Sequence, residues 1–327
     1  MNDRAVNILE QYNLNIERTW KGRGSILFET EEGVYILKEY KGTPQRLSGI
    51  AEALEQIRDN GYRDIETILP NKEGEFFCVD YDRTIYIVKS YFQAKECNIR
   101  EREEYLKGMK TLARLHKAME GVGRTGLVTP SQMPILRDFE KHNAELRGVR
   151  RYLRGKGQKS DFELYLQRHY DFFYEQAVSV WEKIQKENVS SWFLQMKEKH
   201  PLCHGDYQYH NILMGNDTCY IVNFEKMTVD SPIRDVYLFM RKLLEKNNWD
   251  VELGKELLHT YNKERTLKEE ELLQLKYRFS YPEKFWKIVN FYYNSPKSWI
   301  SCKNGEKLTK LLEQEEAKNT LIHTMFP

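Results

Sequence analysis

One segment of the sequence places polar side chains at the spacing of a phosphotransfer catalytic loop. It covers His204–Asn211 and reads HGDYQYHN. In such a loop the aspartate accepts a proton from the substrate hydroxyl, and the asparagine five positions later binds a magnesium ion that bridges the ATP phosphates. Asp206 and Asn211 have that spacing. The loop therefore predicts Asp206 as the catalytic base and Asn211 as a metal ligand, with ATP and Mg²⁺ as cofactors.

A second metal ligand is expected at the start of the next strand, usually as an aspartate before phenylalanine or tryptophan. The residue at this position is Asn223, followed by Phe224 and Glu225. An amide oxygen can coordinate magnesium but brings no negative charge, so we expect weakened metal binding. Glu225 would share a strand face with Asn223 and could replace the missing carboxylate. The alternative for Glu225 is a hydrogen bond to nearby backbone.

The third strand of a kinase-like site must carry a lysine that neutralises the α- and β-phosphates. The run Val34–Tyr40 (VYILKEY) supplies Lys38. Alternation along a strand puts this lysine on an apolar face, with its ammonium directed into a cleft. A plain surface lysine is the alternative. The usual partner is a glutamate of the following helix, and helical geometry favours Glu55 over Glu52 because Glu55 lies at the edge of the apolar stripe.

Two further positions are expected to contact the nucleotide. Gly22 and Gly24 lie in a turn whose backbone N–H groups could approach the phosphates. Ser90 to Ala94 fall where two lobes would be hinged, and Ser90 and Phe92 are the expected nucleotide contacts there. Two glycines in a turn are a weak signal by themselves.

His204 opens the loop and admits two interpretations. We interpret it as a structural residue that braces the loop through hydrogen bonds. A metal site built from His204, Asp206 and His210 is the weaker alternative, because further ligands would be needed to close it.

The elements that must position these residues fall into two parts. Trp20 to Tyr91 has a pattern of short strands around one helix, and the chain beyond Ile99 is predominantly helical with a brief strand pair around the loop. We predict an α+β, protein-kinase-like, two-lobed fold. Residues 1–93 would form a small nucleotide-binding lobe with a five-stranded antiparallel sheet plus a helix. Residues 94–327 would form a large, mainly α-helical lobe with the catalytic and substrate residues.

The first helix has clear end signals: Thr43 as N-cap, Pro44 at the first helical position and Gly61 beyond the end. The predicted strands that can be delimited are Ser25–Thr30, Val34–Tyr40, Glu75–Asp80 and Thr84–Tyr91. The later helices are predicted at about Arg100–Met119, Asp161–Glu187, Ile233–Lys246, Val251–Glu264, Lys268–Arg278 and Glu306–Phe326.

Composition excludes several classes. No run approaches the roughly 18 to 20 apolar residues that a membrane helix needs, so we expect no membrane span. Residues 1–14 lack the apolar core of a signal peptide, which predicts synthesis in the cytoplasm. The five cysteines are scattered and never form CxxC, so neither a disulfide framework nor a zinc site is supported. The net charge of +2 gives no general argument for nucleic acid. The basic run Leu146–Lys159 could still be either a solvated helix end or an anion-binding patch.

Taken together, these residues resemble the aminoglycoside and choline phosphotransferase superfamily, whose loop is HGDxxxxN followed by Asp-Phe or Asp-Trp. More closely, the chain is similar to the CotS-type, kinase-like spore coat family. The similarity covers most of the chain and includes segments in both predicted lobes, namely Tyr86–Glu96, Leu112–His116, Tyr165–Tyr174, Leu202–Leu213, Ser231–Asp235, Tyr281–Trp286 and Lys297–Trp299. The resemblance implies that Asp235 braces the catalytic loop. Asn223 departs from the pattern and puts catalysis in question.

The resemblance leaves two main hypotheses. The first is a kinase that binds ATP and phosphorylates a hydroxyl of an unidentified small molecule or sugar. The second is a catalytically weak or inactive pseudokinase that acts as a scaffold in the spore coat, with other coat proteins as partners. Either would be made in the mother cell and located in the coat. A third hypothesis, nucleic-acid binding, has only Leu146–Lys159 behind it, and we expect no nucleic-acid partner.

Overall fold

The N-terminal strands form one antiparallel sheet in the computed structural model, which describes residues 7–22, 24–123, 126–216, 218–294 and 303–326. The sheet has five strands, as predicted, namely β1 (Arg18–Gly22), β2 (Ser25–Thr30), β3 (Gly33–Tyr40), β4 (Cys78–Val79) and β5 (Ile85–Ser90). Their order in the sheet is β1-β2-β3-β5-β4. One face packs on a core that includes Ile8, Leu9, Phe28, Leu37 and Val88.

Strand β4 is shorter than the predicted Glu75–Asp80. The side chain of Asn71 explains this difference, because its Oδ1 accepts hydrogen bonds from the backbone N–H groups of Glu73 and Glu75. These bonds hold a turn from Asn71 to Glu75, so the first residue of the predicted strand belongs to the turn.

Helix α1 (Pro44–Asp59) follows the sheet's third strand and has the predicted ends. Thr43 Oγ1 accepts a hydrogen bond from Arg46 N at 3.3 Å, and Gly61 has φ of +92°, a value that glycine adopts without strain. The predicted apolar stripe is buried throughout, with Leu47, Ile50, Ala51, Leu54 and Ile57 all inside.

Two small sheets enclose the predicted catalytic loop where one strand pair was expected. Strands β6 (Lys95–Glu96), β8 (Ile212–Met214) and β9 (Cys219–Ile221) form the first. Strands β7 (Leu202–Cys203) and β10 (Thr228–Val229) form the second. The loop leaves β7 and enters β8, so short strands hold both of its ends.

The remaining helices are α2 (Arg102–Met119), α3 (Pro134–Gly155), α4 (Asp161–Ile184), α5 (Val189–Lys199), α6 (Ile233–Lys246), α7 (Val251–Glu264), α8 (Glu269–Ser280), α9 (Glu283–Asn294), α10 (Lys303–Glu313) and α11 (Glu315–Met325). The predicted helix Glu306–Phe326 is divided at Gln314 into α10 and α11. Helices α3, α5 and α9 were not predicted. Pro134 begins α3 and is the sequence signal that could have located it.

The described chain divides into two compact units. The first contains residues up to Thr129 together with Lys199–Leu238 and Lys263–Arg265, and the second contains the rest. The first unit therefore includes both the five-stranded sheet and the catalytic loop. Its bounds differ from the predicted lobes 1–93 and 94–327, because the segment before β4 pairs with β9 through Ile65 and Ile221. The division into those two lobes stays a prediction.

The second unit neutralises much of the basic run. Arg150 and Arg154 both contact the carboxylate of Asp171, at 2.8 and 2.9 Å, and Lys156 contacts Glu163 at 2.7 Å. Arg150, Arg154 and Lys156 thus have acidic partners on helix α4, as in an ordinary helix pair.

The C-terminal family segment packs on helix α3. Tyr281 Oη donates to Asn143 Oδ1 at 2.7 Å, and Trp286 Nε1 donates to Glu145 Oε2 at 2.6 Å. The segment Lys297–Trp299 lies outside the described residues. None of the helices in the described ranges is both long and apolar enough to cross a membrane.

Candidate active site

The start of the predicted catalytic loop is held by Asp235 from helix α6. Its Oδ2 accepts a hydrogen bond from His204 N at 2.6 Å, and its Oδ1 accepts one from Gly205 N at 2.9 Å. His116 Nε2 lies 3.3 Å from the same carboxylate. Burial raises the pKa of Asp235, but the hydrogen bond with His116 and the hydrogen bond from Gly205 N lower it by more, so the pKa lies below its usual value.

The His204 side chain connects this loop to Val222, the residue that follows β9. Its ring is buried, and Nε2 lies 3.0 Å from Val222 O, which can only accept a hydrogen bond. Nε2 therefore carries the proton, and Nδ1 accepts from Asp206 N at 3.2 Å. The ring is thus a bridge inside the loop.

Only a glycine fits at position 205, where the loop packs closely against the backbone of Lys226. Gly205 has φ of +78°, and a Cβ on this residue would lie 2.2 Å from Lys226 O. The glycine lets the backbone of the loop approach the segment that contains Lys226.

The carboxylate of Asp206 has a hydrogen-bond donor on each oxygen. Gln208 Nε2 donates to Oδ1 at 2.8 Å, and Lys226 Nζ donates to Oδ2 at 2.8 Å. Burial raises the pKa of Asp206, while the hydrogen bonds from Lys226 and Gln208 lower it by more. The net pKa is below the usual value, so Asp206 is an ionised, oriented acceptor at neutral pH.

The two amides assigned to metal binding are hydrogen-bonded to each other. Asn211 Nδ2 donates to Asp206 O at 2.8 Å, and Asn211 Oδ1 accepts from Asn223 Nδ2 at 2.8 Å. Asn223 Oδ1 in turn accepts from Lys89 Nζ at 2.9 Å. Asn223 has φ of +67° and ψ of 55°, a left-handed conformation that asparagine adopts more readily than most residues.

Lys38 lies in the site, but its partner is not Glu55. Lys38 Nζ contacts Glu225 Oε1 at 2.8 Å. Glu55 is exposed on helix α1, so the predicted Lys38–Glu55 pair is wrong. The edge of the apolar stripe at Glu55 faces solvent. Helix α1 instead contributes Arg46, whose Nη2 donates to the carbonyls of Glu225 and Met227.

The glycine turn lies beside Lys38 in the sheet register. Gly22 pairs with Ser25 across the β1–β2 hairpin, and Ser25 pairs with Lys38 on β3. Gly24 has φ of +68°. Arg23, between the two glycines, lies outside the described residues.

The predicted hinge begins at the end of β5. Ser90 exchanges hydrogen bonds with Thr67, through its backbone N–H to Thr67 O and through Oγ from Thr67 N, each at 2.9 Å. Phe92 stacks on Tyr220 with ring centroids 4.3 Å apart and planes 8° from parallel. The hinge thus carries an aromatic surface, the kind on which a nucleobase can stack.

Sequence reasoning missed two buried charged residues of the site. Lys89 is 3% exposed and Glu66 is 1% exposed, and Lys89 Nζ contacts Glu66 Oε2 at 2.7 Å and Glu225 Oε1 at 2.9 Å. Alternation along β5 puts Lys89 on the same face as the fully buried Ile87, and this inward lysine was the available signal. Glu66 lies outside the helices and strands and has no such signal.

Glu66 also holds the backbone of the altered metal position. Its Oε2 accepts from Asn223 N at 2.8 Å, and its Oε1 accepts from Phe224 N at 2.9 Å. One carboxylate thus binds an ammonium group and two backbone N–H groups.

The electrostatics of Glu225 and Lys89 follow from their pairing. Burial raises the pKa of Glu225, but the charges of Lys89 and Lys38 lower it by more, and the net pKa is about 2. Burial lowers the pKa of Lys89, and the charges of Glu66 and Glu225 raise it above the usual value. Both groups are therefore charged at neutral pH.

The oxygen atoms assigned to magnesium do not fit that ion. Asn211 Oδ1, Asn223 Oδ1 and Glu225 Oε1 already accept hydrogen bonds from nitrogen. Within the described ranges, no three His, Cys, Asp or Glu side chains form a group that could hold a metal ion. This includes the alternative site at His204, Asp206 and His210.

The five-stranded sheet, the braced loop and the helices form a kinase-like fold of the aminoglycoside phosphotransferase type. Residues 5–325 match the family model described as "Spore coat putative kinase YutH". The chain belongs to this spore coat, kinase-like family, which confirms the resemblance drawn from the sequence.

Solved structures with the same fold include phosphotransferases. An aminoglycoside phosphotransferase from Alicyclobacillus acidocaldarius has a TM-score of 0.84 at 17% identity, covering 98% of this chain and 94% of that one. AMP-bound spectinomycin phosphotransferase APH(9)-Ia has a TM-score of 0.66 at 14% identity, with 99% and 98% covered. Amicoumacin kinase hAmiN, in complex with AMP-PNP and Ca²⁺, has a TM-score of 0.62 at 12% identity, with 98% and 94% covered. At these identities the likeness establishes the predicted fold and leaves the substrate open.

Proposed function

We propose that this protein is a phosphotransferase of the spore coat that binds ATP through Lys38 and transfers the γ-phosphoryl group to a hydroxyl beside Asp206. One observation carries the proposal. Glu225 contacts Lys38 at 2.8 Å, and the next residue, Lys226, contacts Asp206 at 2.8 Å. The phosphate-binding lysine and the base are therefore linked by two consecutive residues.

The chemistry follows from the charge states of these groups. The acceptor hydroxyl oxygen forms a bond to the γ-phosphorus, the bond from that phosphorus to the β,γ-bridging oxygen breaks, and ADP leaves. Ionised Asp206 accepts the hydroxyl proton, and the ammonium groups of Lys38 and Lys226 offset negative charge near the transferred group. The aromatic pair Phe92–Tyr220 stacks on the nucleobase of ATP, and the turn with Gly22 and Gly24 lies near its phosphates.

The acceptor is a small molecule or a sugar, as in the antibiotic and small-molecule kinases of the same fold. Synthesis in the mother cell and association with other coat proteins complete the proposal. The family assignment supports the coat location.

A catalytically silent scaffold is the second candidate. The observation that favours it is the hydrogen bond of 2.8 Å between Asn211 and Asn223, the two residues that would otherwise bind metal. In this case the site would stabilise the fold and a neighbouring coat protein would be the functional partner.

ADP release with a panel of sugar and aminocyclitol acceptors, and with water as the acceptor, distinguishes the two candidates. We expect turnover in the wild type and a loss of at least about 100-fold in Asp206→Asn, because the general base is removed. Asp59→Asn, at the exposed end of helix α1, is the matched control and should keep full activity. Absence of turnover under every condition would favour the scaffold, and equal turnover in Asp206→Asn would contradict the role of Asp206 as the general base.

A further inference from the structure

Lys89 is a buried cation at the place where a kinase-like site binds metal. Its ammonium contacts Glu66 Oε2 at 2.7 Å, Asn223 Oδ1 at 2.9 Å and Glu225 Oε1 at 2.9 Å. A lysine ammonium has three N–H donors, so these three oxygens satisfy all of them. The side chain is only 4% exposed, and a charge so buried is retained only when it is fully paired.

Two of these three acceptor oxygens belong to the residues assigned to metal binding from the sequence, Asn223 and Glu225. Their oxygens lie at ammonium distances from one nitrogen, whereas Mg²⁺ requires ligands at about 2.0–2.1 Å in octahedral geometry. A dication and the Lys89 ammonium cannot share these oxygens, because two cations a few ångströms apart repel strongly in a buried site.

The charge of the cluster is balanced without metal. Lys38 and Lys89 contribute two positive charges, and Glu66 and Glu225 contribute two negative charges. A divalent ion would add two uncompensated charges to this group. An aspartate at position 223 would supply only one compensating negative charge. It would also remove the Nδ2 group that now donates a hydrogen bond to Asn211.

The amide of Asn223 fits this arrangement. It donates through Nδ2 to Asn211 and accepts through Oδ1 from Lys89, a combination that a carboxylate cannot provide. The departure from the superfamily pattern at 223 and the inward lysine at 89 are therefore complementary.

We propose that the Lys89 ammonium replaces a divalent cation in this site, excludes metal from Asn223 and Glu225, and makes nucleotide binding independent of Mg²⁺. The last consequence rests on the proposed function, because it requires that the site binds nucleotide. Lys38, whose side chain is 28% exposed, is then the cation that meets the phosphates.

A titration of the full chain with Mn²⁺ in the absence of nucleotide tests this assignment. Electron paramagnetic resonance measures the free ion. We expect wild type to leave the free Mn²⁺ signal unchanged up to about 1 mM. We expect Lys89→Gln combined with Asn223→Asp to bind one equivalent at least tenfold more tightly, because the ammonium is gone and a carboxylate is restored. Glutamine keeps N–H donors for Glu66, which protects the fold.

The matched control combines Lys38→Met with Asn223→Asp. It removes the other ammonium from Glu225 but keeps Lys89, so we expect it to bind no Mn²⁺. Submillimolar Mn²⁺ binding by wild type that Asn211→Ala abolishes would overturn the assignment. Equal gain in the Lys89 variant and in the control would also overturn it.

The wild-type measurement needs no variant to fold, and the melting temperature of each variant confirms its folding. Exclusion of Mn²⁺ without any nucleotide binding would support the role of Lys89 and sink the proposed function instead. The two claims can therefore fail separately.

Discussion

Glu66 accepts three hydrogen bonds that connect Lys89 to the backbone at the altered metal position. Its carboxylate accepts from Lys89, from Asn223 N and from Phe224 N. Without the charge of Glu66, Lys89 would keep only the carboxylate of Glu225 as an ionic partner. The loss is costly because these groups are buried or half-buried.

We expect Glu66→Gln to lower the free energy of unfolding by about 3–5 kcal/mol, the cost of breaking a buried ion pair. Glu55→Gln is the control, and its exposed side chain should change stability by no more than about 0.5 kcal/mol. Urea unfolding of both variants checks this, and equal effects at the two positions would contradict the role of Glu66.

Asp235 makes the site's stability depend on acidic pH. Its pKa in the folded protein is below the usual aspartate value, so the unfolded chain binds the proton more tightly. The stabilisation is fully present above the unfolded pKa, about 3.9, and is lost as pH falls through the folded pKa.

We expect the melting temperature of wild type to fall below about pH 4 and this fall to be shallower in Asp235→Asn. At neutral pH the variant should be about 2–4 kcal/mol less stable, since both loop N–H groups lose a charged acceptor. Melting curves from pH 3 to 7 measure both effects. Parallel pH profiles for the two proteins would rule out Asp235 as the titrating group.

Helix α1 shows how far local sequence signals determine an element. Its start, end and buried stripe agree with the prediction, because capping and apolar periodicity are properties of neighbouring residues. The residue through which the helix contacts the site differs from the prediction. Whether Arg46 or Glu55 reaches the site depends on packing against residues about 180 positions away in the sequence. Local spacing could not predict the residue that this helix contributes.

We expect Thr43→Ala to cost about 1 kcal/mol, because Arg46 N loses its hydrogen-bond acceptor. Glu52→Ala, on the exposed face of the same helix, is the control and should have little effect. Chemical denaturation of the two variants compares them, and an unchanged midpoint for Thr43→Ala would mean that the cap contributes nothing.

For the whole molecule, motif order and residue types were enough to predict the α+β, kinase-like fold and the family. They were sufficient because Lys38, the HGDxxxxN loop and the following Asn-Phe pair occur at fixed order and spacing. The roles of Lys89 and Glu66 could not be predicted in this way. Both residues contact the segment at Asn223 and Glu225, which is more than 130 positions away in the sequence. The missed helix α3 is polar over much of its surface, but its buried side chains Ile135, Phe139, Leu146 and Leu153 recur at helical spacing, so the sequence did carry a signal for it.

Charge at the molecular scale argues against nucleic-acid binding. The net charge is +2, and Arg150, Arg154 and Lys156 of the basic run have acidic partners. We expect no binding to duplex or single-stranded DNA at about 150 mM salt in a mobility-shift assay. Binding with a steep log-log dependence on salt would show that the run forms a phosphate-contacting surface after all.

We propose that the cluster around Lys38 binds nucleotide without metal. Thermal unfolding of wild type and Lys38→Met with increasing ATP, in EDTA and in excess Mg²⁺, tests it most directly. At 100 times the dissociation constant ATP should stabilise wild type by about 2.7 kcal/mol, equally in both conditions, and should not stabilise Lys38→Met. Stabilisation that appears only with Mg²⁺, or no stabilisation of wild type in either condition, would contradict the claim.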